Sequence, residues 1–222
     1  MKSLILEISF SEAFFKVHYT KGFRLTYPIP LPTTVAGIFG ALLGIERWEV
    51  KSFFKDFLFG AKLIKYESLC SENVTFLQYK SKGIERGVVQ TFVLNNPTYL
   101  IALSTEDEKK IVEIKRRLED GAVFLPYGGQ NDFFVENWKI KYVDEVEKNT
   151  QISNYAPQDF VESFKSERNT EIFILPVMHT LSQSKNFFFV FNGYLNLKTE
   201  VFSTKKDSIA LYSPSFFYIW SE

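Results

Sequence analysis

Between Ala13 and Ile45 the chain carries no Asp or Glu, and in the same span stand Lys16, His18, Lys21 and Arg24 with Tyr19, Phe23 and Tyr27 among them. Cations interleaved with aromatic rings suit one chemistry above others. Positive charge meets the phosphates of a single-stranded nucleic acid, and ring faces receive its unstacked bases. The chain as a whole has formal net charge zero. A general polyanion binder is therefore not expected, whereas a local basic groove is.

The stretch that follows would build the floor of such a groove. In "KGFRLTYPIPLPTTVAGIFGALLG", Lys21 to Gly44, Pro28, Pro30 and Pro32 hold Tyr27, Ile29 and Leu31 extended. Thr33 or Thr34 is placed to cap a helix running to about Ile45. Gly37, Gly40 or Ala41, and Gly44 fall on one stripe of that helix, and Val35, Ile38, Phe39, Leu42 and Leu43 form its apolar face. Each glycine in a helix interior costs about 0.5–1 kcal/mol against alanine, so close approach of another backbone or of a ligand is expected to offset it. The helix start also offers unpaired N–H groups to a phosphate. This reading requires that Arg24 is not held by the chain's own carboxylates and that the bare helix face is not walled in.

The rest of the chain supplies the frame. Its 222 residues are 45% hydrophobic and 17% aromatic, with 24 Phe and 11 Tyr, enough for a sizeable core and for exposed rings besides. Lys2–Phe10 alternates as a strand. An amphipathic helix is expected from Glu46 to Phe59, burying Trp48, Phe53, Phe57 and Leu58 and stopped by Gly60. Strands follow at 61–68 and 74–79, then a polar excursion, "KSKGIERG", and a strand at Tyr99–Leu103. "TEDEKKIVEIKRRLEDG" reads as a helix capped by Thr105 and ended by Gly121. Its cations pair at four-residue spacing, Glu106 with Lys110 and Glu113 with Arg117, and form a solvated face. "FLPYGGQNDFF" turns into a strand over 133–143. Strand, helix, strand, strand, helix, strand is the ferredoxin-like order that RNA-binding sheets also use. The fold expected is α+β: a ferredoxin-like (RRM-like) domain over 1–143 with a hairpin near 74–95. A polar connection and a smaller antiparallel β unit follow over 144–222.

Several classes are not expected. One cysteine, Cys70, and two separated histidines make neither an internal disulfide nor a zinc set. No phosphate-loop or dinucleotide fingerprint occurs. No cofactor or metal is expected. The start of the chain does not read as a secretory signal, and the longest apolar run, 35–45, is too short to span a bilayer. A soluble, cytoplasmic protein in a reducing compartment is expected, with no membrane partner.

"FRLTYPIPLPTTVAGIFGALLG" resembles the N-terminal signature of the CRISPR-associated Cas-five family of the RAMP superfamily. "VQTFVLNNPTYLIAL", 89–103, and "FLPYGGQNDFF", 124–134, are similar to two further family segments in the same order. The C-terminal third carries no matching signature. The resemblance implies a ferredoxin-like fold with a β-hairpin thumb and a non-catalytic place in a class 1, Cascade-like (type I) CRISPR antiviral effector complex. There the subunit grips the 5′ handle of the crRNA and caps the filament of backbone subunits. It also meets the large subunit that reads target DNA. Carried over, the RNA-binding residues are Lys16, His18, Tyr19, Lys21, Phe23, Arg24, Tyr27, Thr33, Thr34 and Gly37. The thumb adds Lys80, Lys82 and Arg86, and the glycine turn adds Gly128, Gly129 and Asn131.

One branch of the family cleaves precursor crRNA without metal, through Tyr, Lys and His. His18, Tyr19 and Lys21 are the candidates for that alternative, with His18 as general base and a lysine facing the developing phosphorane. His179, in "LPVMHTL", reads as structural. A related type III subunit is a further alternative. The aromatic end, "SPSFFYIWSE", also suits subunit interfaces.

Overall fold

A computed structural model describes residues 1–18, 20, 22–81, 83–180 and 183–216. Tyr19, Lys21, Lys82 and residues 217–222, all singled out above, lie outside the described residues, as does the side chain of His179.

The chain is mostly antiparallel β with few helices. Strand β1 is Lys2–Phe10 and α1 is Pro32–Leu43. Next come β2 (Leu58–Lys65), β3 (Ser68–Lys80), β4 (Gly83–Asn95) and β5 (Thr98–Thr105). Helix α2 is Glu108–Glu119, and β6 (Val135–Ile152), β7 (Val161–Thr180) and β8 (Gln183–Thr204) complete the larger elements. The main sheet has the order β8-β6-β1-β5-β2, with β7 paired to β8.

Alternation in β1 decides what each face does. Leu4, Leu6, Ile8 and Phe10 point into the main core with Val35, Ile38, Phe39 and Leu42 of α1 and Ile111, Ile114 and Leu118 of α2. Each such side chain contributes about 1.5–3 kcal/mol when fully buried. Ile5 points the other way, into a smaller cluster with Leu100, Ala102, Ile209 and Leu211. β5 is therefore buried at every position, as a strand apolar on both faces must be.

Several sequence expectations are corrected. The helix expected over 46–59 is a single turn at Val50–Phe53, and β2 begins at Leu58. The pattern misled because Trp48 and Phe53 are exposed, whereas Phe54, Phe57 and Phe59 pack as an aromatic cluster that draws the chain into the sheet. Gly60 is no helix stop. It lies mid-strand, where any Cβ would strike the Ala210 carbonyl, and so lets the C-terminal segment cross the sheet. Asp107, not Thr105, caps α2, accepting from the Lys109 N–H; Thr105 accepts instead from the Asp107 N–H. The ion pairs on α2 are Lys115–Glu119 and Arg116–Asp120. In the polar excursion, Lys80 ends one strand and 83–87 begin the next. It belongs to a hairpin whose two arms have 13 residues each, about 40 Å of projecting ribbon. The polar connection expected after residue 143 is also strand: β6 runs unbroken to Ile152, pairing first with β1 and then with β8. Polar residues alternate there because one side of the strand faces water.

Gly60→Val is expected to lift the C-terminal segment off β2, where Phe59 and Tyr212 exchange two backbone hydrogen bonds of 2.9 Å. Amide exchange at Leu211 and Tyr212 should accelerate well beyond that at Leu103. Equal protection in variant and parent would refute the packing role.

Candidate nucleic-acid interface

The acid-free segment is pinned by short strand pairings. Phe15–Lys16 pairs antiparallel with Thr26–Tyr27, the Val17 N–H donates to the Leu25 carbonyl, and the Thr26 hydroxyl accepts from the Phe15 N–H. These pairings close the base of a loop between Val17 and Leu25. Glu12–Ala13 pairs with Asn95 and Leu94 of β4, and Phe23–Arg24 pairs in parallel with Gln90 and Thr91 of the same strand. The loop and the projecting hairpin thus share one strand.

Arg24 and the hairpin meet through side chains as well. The Arg24 guanidinium lies over the Phe76 ring, 5.8 Å from its centroid, and Phe76 lies across Gly87, where a Cβ would collide with the ring. Such a cation–ring contact is worth about 0.5–1 kcal/mol at an exposed site. Among the described residues no carboxylate forms an ion pair with Arg24. Lys16 and Phe23 are exposed on the same segment. His18 lies at the surface, but partial burial of its ring strips away part of its water. That desolvation, reinforced by the Lys16 ammonium, lowers its pKa, so the ring is neutral at pH 7.

Other residues are placed differently. Tyr27 is buried: its hydroxyl donates to the Pro176 carbonyl at 2.7 Å and its ring stacks on Phe189. It anchors the loop's base to the C-terminal hairpin. Leu31 is the N-cap of α1 and Pro32 its first residue, so Thr33 and Thr34 sit half-buried in the first turn and no side chain caps it. The three glycines of α1 part company. Gly37 faces open space, Gly40 sits against Val50, and Gly44 is a left-handed C-cap at φ 70° beside Val123.

At the glycine turn, Gly128 and Gly129 press their backbone onto Glu12–Phe14, and the Phe14 N–H donates to the Gly128 carbonyl at 2.7 Å. Gly129 has φ 93° with the Phe14 carbonyl where a side chain would be. These two glycines position the start of the segment, and Asn131 is exposed. On the hairpin, Lys80 is paired with Glu85 at 2.5 Å and Arg86 is exposed. Among the described residues no cluster of His, Cys, Asp or Glu could hold a metal ion, and no helix is long and apolar enough to cross a membrane.

Sequence reasoning missed Phe76 and Gly87, whose partnership with Arg24 crosses 52 positions. It also missed Tyr127 and Phe134, exposed aromatic residues paired by the backbone bridge that closes the glycine turn. Alternation on β3 and an isolated glycine in β4 were the only signals for the first pair.

Gly129→Ala is expected to lower stability by roughly 1–3 kcal/mol, since it adds a Cβ at positive φ against a carbonyl. A denaturant midpoint equal to the parent's would refute this placement.

A family profile described as "CRISPR-associated protein (Cas_Cas5)" matches residues 3–180. Comparison with curated proteins found no match. Among solved structures, a chain of a CRISPR RNA-guided surveillance complex superposes with TM-score 0.51 at 13% identity, covering 88% of this chain and 90% of that one. A CRISPR protein from Archaeoglobus fulgidus superposes with TM-score 0.53 at 13% identity, covering 96% and 99%. At such identities the likeness is one of fold.

Proposed function

The chain belongs to the CRISPR-associated Cas5 family, and from that premise we propose that it is a non-catalytic, crRNA-binding subunit of a class 1, type I CRISPR effector complex. In this reading it grips the 5′ handle of the crRNA, caps the filament of backbone subunits and meets the large subunit that engages target DNA. The observation that carries the reading is Arg24. It stands over Phe76 at the junction of loop and hairpin, and no carboxylate of the described chain neutralises it. A guanidinium held by a ring rather than by an acid keeps its charge available to phosphate. Exposed Phe23 beside it offers a face to a base. The open side of α1 at Gly37 lets a backbone approach the helix, and the uncapped first turn presents N–H groups.

The architecture supports the same reading. β6-β1-β5-β2, all antiparallel neighbours, with α1 between β1 and β2 and α2 between β5 and β6, has the strand order and connections of a ferredoxin-like (RRM-like) unit. The 13-residue arms of the β3–β4 hairpin are long enough to serve as its thumb.

Arg24→Ala is expected to weaken binding of the repeat-derived 5′ handle about tenfold, on the order of 1.4 kcal/mol. The fold should persist, and the salt dependence should become shallower by about 0.7 in log–log slope because one phosphate is no longer neutralised. Unchanged affinity and slope would remove Arg24 from the interface. Purified protein is expected to leave repeat RNA intact in the absence of metal. A specific cut that disappears in His18→Ala would install the ribonuclease reading instead, with the neutral His18 imidazole as base.

A further inference from the structure

The side of the main sheet turned away from α1 and α2 is only half covered. Ile209 and Leu211 close it over Ile5, Leu100 and Ala102. Beyond them the face stays open as a cleft of about 320 Å³ lined by Glu7, Ser9, Lys65, Thr98, Asn137 and Lys139, with Ile64 at its side. We propose that this cleft is a second nucleic-acid contact, which takes the phosphodiester backbone of a single strand.

The strand register sets out its chemistry. One row across four strands reads Lys65, Thr98, Ser9, Asn137. It spans three inter-strand spacings, about 14 Å, and every member can donate a hydrogen bond. The next row reads Lys62, Leu100, Glu7, Lys139. Its one acid is already shared by two ammonium groups, Lys139 at 2.6 Å and Lys141 at 2.9 Å. Those bonds hold the Glu7 carboxylate below its usual pKa, so it stays charged and keeps both lysines in place. Asp207, beside Lys62 and Lys141, and Glu167, beside Lys62, are the other acids nearby. Lys62, Lys65, Lys139 and Lys141 thus face Glu7, Asp207 and Glu167, and four cations against three anions leave the face positive by one charge. Among the described residues Lys65 has no ion pair.

A row of donors without a carboxylate suits a ligand that offers only acceptors. The phosphodiester backbone is such a ligand, with its charge spread along a chain. The cleft holds no aromatic ring, so it would grip backbone and leave bases unread. It opens where β2 and β5 flank the root of the β3–β4 hairpin, at Lys65 and Thr98. A strand passing that root could therefore cross it. The inference needs neither the crRNA handle nor Arg24, only a single-stranded polyanion.

The test uses the whole ¹⁵N-labelled chain titrated with single-stranded octauridylate, with inorganic phosphate and an oligoglutamate peptide as controls. Amide shifts at Lys65, Thr98, Ser9 and Asn137 should saturate with the octamer. Lys65→Glu should lose about tenfold in that affinity and about 0.7 in salt slope. Asn137→Asp, nearly isosteric and exposed, should act in the same direction. No shifts at these amides would overturn the proposal. Equal saturation by inorganic phosphate would reduce the cleft to an anion site, and equal saturation by oligoglutamate would make it a site for acidic peptide; both overturn it. Cleft shifts that persist in Arg24→Ala separate this site from the loop. Octamer binding that depends on Arg24 but not on Lys65 would sink the cleft and spare the loop.

Discussion

Strand β4 is paired to more of the candidate interface than any other element. Its inner half bonds to Glu12–Ala13 and to Phe23–Arg24, and its whole length bonds to β3. Backbone hydrogen bonds are individually modest, but a buried N–H or carbonyl left unpaired is costly, so the register is strongly held. That register makes three sequence-distant parts into one body. The acid-free loop has its cations aimed by the same ladder that sends the hairpin outward. Loss of the ladder at 90–95 would disconnect Arg24 from Phe76 without touching either residue.

Electrostatics then act on a frame already fixed. The chain has 26 cations and 26 anions, so nothing in its net charge attracts RNA. What matters is which charges are spent within the protein. Lys80 is paired with Glu85, Lys115 with Glu119 and Arg116 with Asp120. Arg117 donates to the Leu43 carbonyl, and Lys110 lies over Phe57. The cation-rich helix α2 is thereby largely occupied with its own fold. Arg24 rests on a ring instead, a contact that orients the guanidinium without cancelling its charge.

The sequence made some of this legible. Period-two alternation found β1 to the residue, because one face is packed against helices and the other is not. The proline run placed α1 within two residues, although it obscured the cap: proline at the first helical position leaves Leu31 to begin the helix. The glycine turn and the interface segment were also visible as composition. What could not be read was long-range. Trp48, Phe53, Phe57 and Leu58 look like one helix face until the sheet edge beside β5 claims Leu58 onward. Tyr27 looks like a free ring until Phe189 and Pro176 arrive from more than a hundred residues away. Local pattern records that a ring needs a partner, but not whether the partner is the protein's own core.

The glycines carry the same lesson further. Gly37 is expected against another backbone or a ligand because a missing side chain lets something come close, and Gly128 and Gly129 are expected at RNA through the family resemblance. At 128 and 129 what comes close is the backbone of Glu12–Phe14, so the turn acts on the interface by holding the segment that bears it. At 37 nothing of the described chain approaches at all. A helix that accepts the cost of glycine at a fully open position gains no packing in return. The small side of α1 is therefore the part of this surface whose sequence is least explained by folding alone, and a nucleic-acid backbone laid against it would supply the partner that the fold does not.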